Sequence, residues 1–342
     1  MSAGVIIGGF VFYFLIYAIG FVLGSYGGMF SECSGVINIA LEGSMVVGAF
    51  SGLIFLQMMA KFLPETIWLT STVGGVTLLY FLAALVSIAF SIIFSFLLSF
   101  VSIKLKADQT IVGTALNTVA VAVCTIVNTF ITGKENTEVD NVNLFKSVNF
   151  NVNTGVEFID SAFSGLNISI LIGLIVIIAL WLVMNKMRFG LRLRACGENP
   201  GAADSVGINV SRMRYLGTMI GSAAAGLGGF IIFSNLPLGS WNISALGIGF
   251  LVLAIEIFGN WKATNILFGS LFFAFFFAFA PVFTSNVMSD PDINDAIKGT
   301  IFGTKAFYYM LPYLIAFLTL IVFSKKSRAP KAEGKPYDKS TR

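Results

Sequence analysis

Apolar runs of roughly 18 to 25 residues recur along this chain, the length an α-helix needs to cross the hydrocarbon of a bilayer. They fall at about 5–29, 43–62, 78–103, 110–132, 166–184, 215–233, 264–283 and 306–323, with a shorter run at 245–258. In lipid every backbone polar group must be satisfied internally, so such runs fold as helices. The short alternating segments of a membrane β-barrel are missing. Only 11% of residues are charged and 56% are hydrophobic, far too little charge to cover a soluble fold of this length. The expected fold is all-α and polytopic, with about nine or ten transmembrane helices, the tenth from 66–77. Residues 1–24 lack a basic leader and a small-residue cleavage pattern, so they read as a retained first span.

Two stretches break the pattern. Residues 31–42 (SECSGVINIALE) are too polar and too short to cross, and 245–258 is short, with Gly247 and Gly249 at its start. Short or interrupted apolar segments in both halves point to re-entrant or discontinuous helices around a central path.

Positive charge sets the orientation. The interruption 185–214 carries Lys186, Arg188, Arg192, Arg194, Arg212 and Arg214, and the tail 324–342 carries seven more basic residues. An even number of crossings separates them. Placing both in the cytosol, with Lys104, Lys106 and Lys262, puts 16 of the 21 basic residues inside. The N-terminus is then outside and the C-terminus inside. A transmembrane region, 1–323, precedes a basic cytosolic tail, 324–342. The Asn-rich, acidic loop 133–163 and the loop 284–305 with Asp290, Asp292 and Asp295 become external.

Several function classes are excluded by what the sequence lacks. There is no histidine, which removes imidazole bases, His-ligated metals and the usual triads. Cys33, Cys124 and Cys196 show no metal or disulfide spacing. A phosphate-binding loop needs GxxxxGK[ST]; Gly133-Lys134 is followed by glutamate and Gly334-Lys335 by proline. If ATP powers this protein, it is hydrolysed on another polypeptide. A membrane enzyme is disfavoured, and no cofactor or metal of its own and no nucleic-acid polymer as partner is expected.

Within the basic interruption, Asn199 can cap a helix and Pro200 suits its first position, while Gly207 can end it about two turns later. Gly201, Ala202 and Ala203 allow another surface to approach closely. Few ionisable groups lie in or beside spans: Glu32, Glu42, Asp108 and Glu256. The first three map to the cytosolic boundary, where solvation or arginine pairing is expected. Glu256, three residues before Gly259, is expected to reach the surface or Lys262. Neutral polar residues in spans (Asn38, Ser44, Thr114, Asn117, Asn128, Thr218) suit an uncharged hydroxyl-bearing solute, or else bond helix to helix. Asn38, Glu42, Asn117 and Glu256 are the candidate path residues. The Phe268–Phe279 run reads as lipid-facing bulk.

Four stretches, in order, resemble one family. LRLRACGENPGAADSVGINVSRMRY is similar to the cytosolic coupling segment of ABC importer permeases of the ribose and branched-chain amino acid superfamily. SECSGVINIALEGSMVVGAF resembles its N-terminal signature, ADQTIVGTALN the segment before its next span, and SRAPKAEGKPY the ending of its nucleoside and simple-sugar branch. The resemblance implies a plasma-membrane importer of two permease subunits, here a heterodimer, with a cytosolic ATPase pair and an extracytoplasmic binding lipoprotein. It implies that Gly197, Asn199, Pro200, Ala202, Ala203 and Gly207 form the coupling helix that fits the ATPase. The flanking Arg192, Arg194, Arg212 and Arg214 would face lipid phosphates or acidic ATPase residues. Three positions depart from the family pattern: Cys33 stands where a basic residue is usual, Ile248 where an arginine is usual, and Glu256 where an apolar residue is usual.

The expected function is the membrane path for a nucleoside or similar neutral polar solute. The alternatives are a sugar or branched-chain amino acid permease of the same superfamily, or an ion-coupled secondary transporter. The last would need membrane-embedded coupling carboxylates, for which Glu256 is the candidate.

Overall fold

The computed structural model describes residues 3–62, 74–133, 138–140, 168–236, 240–283, 304–323 and 328–338. The long apolar runs become helices α1 (Ala3–Glu32), α2 (Leu41–Phe62), α3 (Gly74–Ser99), α4 (Gln109–Thr132) and α5 (Ile168–Lys186). Two short helices follow, α6 (Arg188–Glu198) and α7 (Pro200–Ser205), then α8 (Val210–Ser234), α9 (Ile248–Phe258), α10 (Ala263–Val282) and α11 (Lys305–Phe323). A π-helical turn, Phe100–Lys104, extends α3. Strands β1 (Glu138–Asp140) and β2 (Ser240–Asn242) pair antiparallel, with Val139 opposite Trp241.

Seven of the described helices are long and apolar enough to cross a membrane. The expected span at 245–258 is the eleven-residue α9, about 16 Å long at 1.5 Å per residue, which is half a hydrocarbon core. It is a half-helix, as the glycines before it suggest. Gly247 at its start takes φ +82, a left-handed conformation that turns the chain inward after β2. The possible helix at 66–77 lies outside the described residues for 66–73, and Gly74–Thr77 begins α3. Of the two loops expected to be external, only 133 and β1 in the first and 304–305 in the second fall among them.

Helix α8 is the hub, packed against α1, α2 and α3, while α1 also packs on α10. Hydrophobicity cannot hold helices together in lipid, so close backbone approach must. A Cβ on Gly221 would collide with the carbonyl of Gly27, and one on Gly48 with the backbone of Gly226. On α3 the buried Ser87, Ser91, Ser95 and Ser99 recur every four residues. Ser87 donates to the Gly226 carbonyl at 3.2 Å, and the Ser99 and Thr218 hydroxyls bond each other. Helices α4 and α5 are the least covered of the seven. The outward face of α5 is aliphatic (Leu171, Leu174, Ile175, Ile178), as lipid contact requires.

One end of the bundle gathers the polar junctions. There the end of α1, the starts of α4 and α8, the turn between α9 and α10, the α6–α7 corner and the chain terminus meet.

Candidate functional site

The α6–α7 corner forms from local signals. Asn199 is extended, and its side-chain oxygen accepts the Ala202 N–H at 3.0 Å, with Pro200 at the first helical position. At the other end Ile208 N–H bonds the Ala203 carbonyl and Gly207 N–H the Asp204 carbonyl, both at 3.0 Å. With Gly207 at φ +84, this is a complete Schellman ending. The helix is therefore short because both caps are encoded. Ala202 is exposed, whereas Ala203 is buried and faces the protein. Gly197 lies outside α7, at the end of α6, where a side chain would collide with the backbone carbonyl of Cys33. That contact fastens the corner to the end of α1. Cys33, Cys124 and Cys196 are all free and buried.

The basic flanks divide. Arg188, Arg192, Arg194 and Arg212 are exposed. Arg214 is not, which corrects the expectation that it faces lipid or a partner. It follows Val210 by four residues and precedes Gly217 and Thr218 on the inward face of α8, and it is 2% exposed. Its Nη1 donates to the Lys335 carbonyl at 2.9 Å, and its guanidinium lies against Gly35, whose φ of +98 brings the backbone close. Its Nε and Nη2 have no hydrogen-bond partner among the described residues.

A second site lies where the two interrupted segments meet. Residues 33–40 are not helical, so their backbone groups need partners from elsewhere. One face of α4 supplies them. Gln109 Oε1 accepts the Ile37 N–H at 2.7 Å. Two turns on, Asn117 Oδ1 accepts the Gly43 N–H at 2.7 Å and Asn117 Nδ2 donates to the Ile39 carbonyl at 3.0 Å. Gly113, between them on that face, lets the Ile39–Ala40 backbone lie against the helix. Asn38 is fully buried and donates to Ser31 Oγ at 3.0 Å, while its Oδ1 has no partner among the described residues.

Glu42, in the first turn of α2, faces the start of α9. Its Oε1 accepts the Gly247 N–H at 2.8 Å and its Oε2 the Gly249 N–H at 2.6 Å. A carboxylate across the open N-terminus of a half-helix satisfies two orphan donors and complements the helix dipole. Tyr313 Oη completes the corner by donating to the Leu246 carbonyl at 2.6 Å. Glu42 and Asn117 thus bond to backbone around the interrupted segments, while Asn38 donates to the hydroxyls of Ser31 and Ser222. Asp108 is the exposed N-cap of α4, accepting from Thr110 and Ile111.

Glu256 sits apart from them, on the other end of α9. It is fully buried, against Gly28 of α1, and reaches neither the surface nor Lys262 as the sequence suggested. The cause is the phase of α9, which turns 248, 249, 252, 255 and 256 inward. Its carboxyl group lies beside Glu32 and Trp261. Glu32, four residues beyond Gly28, accepts the Trp261 indole N–H at 2.7 Å rather than pairing with arginine. Asn260 and Trp261 both take positive φ in the turn between α9 and α10, +50 and +53. Such strain, about 1–2 kcal/mol for a bulky residue, persists where neighbours hold it, and this indole bond does.

A cleft of about 450 Å³ opens between α2, α3 and α4. Its lining is apolar, including Phe50, Phe90, Phe94 and Val123, so it has little with which to recognise a polar solute. A half-helix with a capped mouth, stacked broken segments and a structured basic corner define a membrane transport protein.

The chain belongs to the family described as branched-chain amino acid transport system / permease component, which matches residues 10–320. It is 32% identical to the guanosine ABC transporter permease protein NupQ of Bacillus subtilis over 96% of each chain. It is also 32% identical to the nucleoside ABC transporter permease protein NupC of Lactococcus lactis over 95% of each. A second Lactococcus lactis nucleoside permease protein, NupB, is 28% identical over 50% of this chain and 46% of its own. No solved structure matches. The chain is a multi-pass plasma-membrane permease subunit of the ABC type, a transport component rather than a catalyst.

Proposed function

We propose that this protein forms half of the membrane path of a nucleoside importer, with guanosine-like solutes as its substrate class. The observation that carries this reading is end-to-end similarity to two permeases named for guanosine and nucleoside transport. Similarity also to NupB, a second nucleoside ABC transporter permease protein of Lactococcus lactis, supports pairing with a related but different subunit. The other half of the path then comes from that partner. In this reading an ATPase pair binds the basic face and a lipoprotein delivers solute to the opposite one, with the N-terminus outside and the C-terminus in the cytosol.

Energy enters through α7. Its caps make it rigid, Gly197 fastens its base to α1, and exposed Ala202 leaves room for the ATPase. A push on α7 is carried to Cys33 and so to the interrupted segment 33–40. Glu42 links that segment to the half-helix α9, so the two broken elements move together.

The test is labelled-guanosine uptake in a strain deleted for this gene and complemented with it, with nucleosides, ribose and leucine as competitors. Competition by nucleosides is the expected result. Competition by leucine alone would sink the assignment.

A further inference from the structure

Residues 328–338 cross the basic end of the bundle as a strap. Its anchors are spread over four elements. Arg328 N–H donates to Asn260 Oδ1 at 2.9 Å in the α9–α10 turn, and Ala332 N–H to the Gly197 carbonyl at 2.8 Å at the base of the α6–α7 corner. The Lys335 carbonyl accepts from Arg214 of α8, and Asp338 pairs with Lys106 before α4. Ala332 is buried, and Gly334, at φ +71, closes over Ile37.

Between these anchors the strap sets Glu333 towards two other carboxylates. Glu333 follows Ala332, whose N–H bonds the Gly197 carbonyl, and Gly197 lies against the Cys33 carbonyl next to Glu32, while the buried Glu256 of α9 lies against Gly28, one turn before Glu32 on α1. Glu333 Oε2 is buried without a hydrogen-bond partner among the described residues, and Glu256 is fully buried. The other titratable or charged groups around this cluster are Cys33 and Arg194, with Cys196, Arg214 and Tyr337 grouped next to it. No cation bridges the three carboxylates among the described residues. Seating the strap therefore brings a third acidic side chain to the end of α1, where Glu32 and Glu256 are already buried.

We propose that the strap is a proton-sensitive latch: it seats over the base of the α6–α7 corner when Glu333 carries a proton and loosens when Glu333 is ionised. In the seated strap Glu333 is pushed up to about 8, first by burial and then by Glu32. A free glutamate titrates near ~4.3. The seated state thus binds the proton more tightly than the free strap. Seating is strongest below the free value and weakens as pH rises towards 8. Because Ala332 is bonded to Gly197, two residues before Asn199, release frees the segment that carries α7.

The test needs no transport and so is separable from the reading above. Hydrogen exchange at the Ala332 amide is followed in the full-length protein in lipid nanodiscs, with rates corrected for intrinsic exchange. Protection is expected to fall about 75-fold between pH 6 and pH 8.5 in the wild type. In Glu333→Gln it is expected to stay high and flat, and in Glu333→Lys to remain high at pH 8.5. A flat wild-type profile would overturn the proposal, and so would an equal fall in Glu333→Gln.

Discussion

The carboxylate of Glu42 spans the N-terminus of α9, 2.6 Å from the amide nitrogen of Gly249 and 2.8 Å from that of Gly247. The bonds join residues more than 200 positions apart. They let a half-helix end inside the bundle, because the donors that a full span would carry to water are satisfied within the protein. Charge-assisted bonds of this kind contribute about 1.5–3 kcal/mol each when buried. Glu42→Ala should therefore lower stability by about 2–4 kcal/mol, with Glu42→Gln intermediate because it keeps one acceptor. Thermal unfolding in detergent, read as Tm, checks this; a Glu42→Ala protein with unchanged Tm would refute the capping role.

Asn117 makes the same kind of repair with an amide. Asn117→Leu leaves the Gly43 N–H and the Ile39 carbonyl without their partner and should cost about 2–4 kcal/mol. Thr118→Leu, one residue on and exposed, should fall within about 0.5 kcal/mol of wild type. The difference between the two, by Tm in one detergent, isolates the contribution of the amide.

The caps of α7 can be removed one at a time. Asn199→Ala should cost about 1 kcal/mol of local stability. Gly207→Ala, forced to φ +84, should cost about 1–2 kcal/mol. Hydrogen exchange over 200–208 should quicken accordingly while the exchange of α8 is unchanged. Faster exchange throughout the molecule would mean that the corner is not a separate unit.

Ala202→Arg adds a long charged side chain to the outward face of α7 and removes nothing from the core. Uptake should be abolished, with membrane insertion and Tm unchanged. Normal uptake by this variant would exclude α7 as the point where energy enters.

The half-helix and the α6–α7 corner differ in how they could be read. Asn199, Pro200 and Gly207 act on backbone groups within a few residues, so the caps of α7 are visible in the order of residues. The span lengths are equally local, since each run must match a bilayer. Arg214 shows where this stops. Among six basic side chains in one interruption it looks solvated, and only the phase of α8 against Gly35 buries it. The serines of α3 recur every four residues, but only the packing shows that they face the glycines of α8. For Gln109 and Trp261 the signal would have been a polar side chain beside a break, and its partner lies far along the chain.

By itself the sequence determined a polytopic helical permease, the place of the interruptions, and the start and end of α7, because hydrophobic length and helix capping are settled within one or two turns. The tertiary structure alone decided that Glu42 and Asn117 bond to broken backbone, that Glu256 and Arg214 are buried, and that the tail lies as a strap across the basic face. Each of these depends on which groups meet across distant segments, and packing geometry rather than local preference sets that.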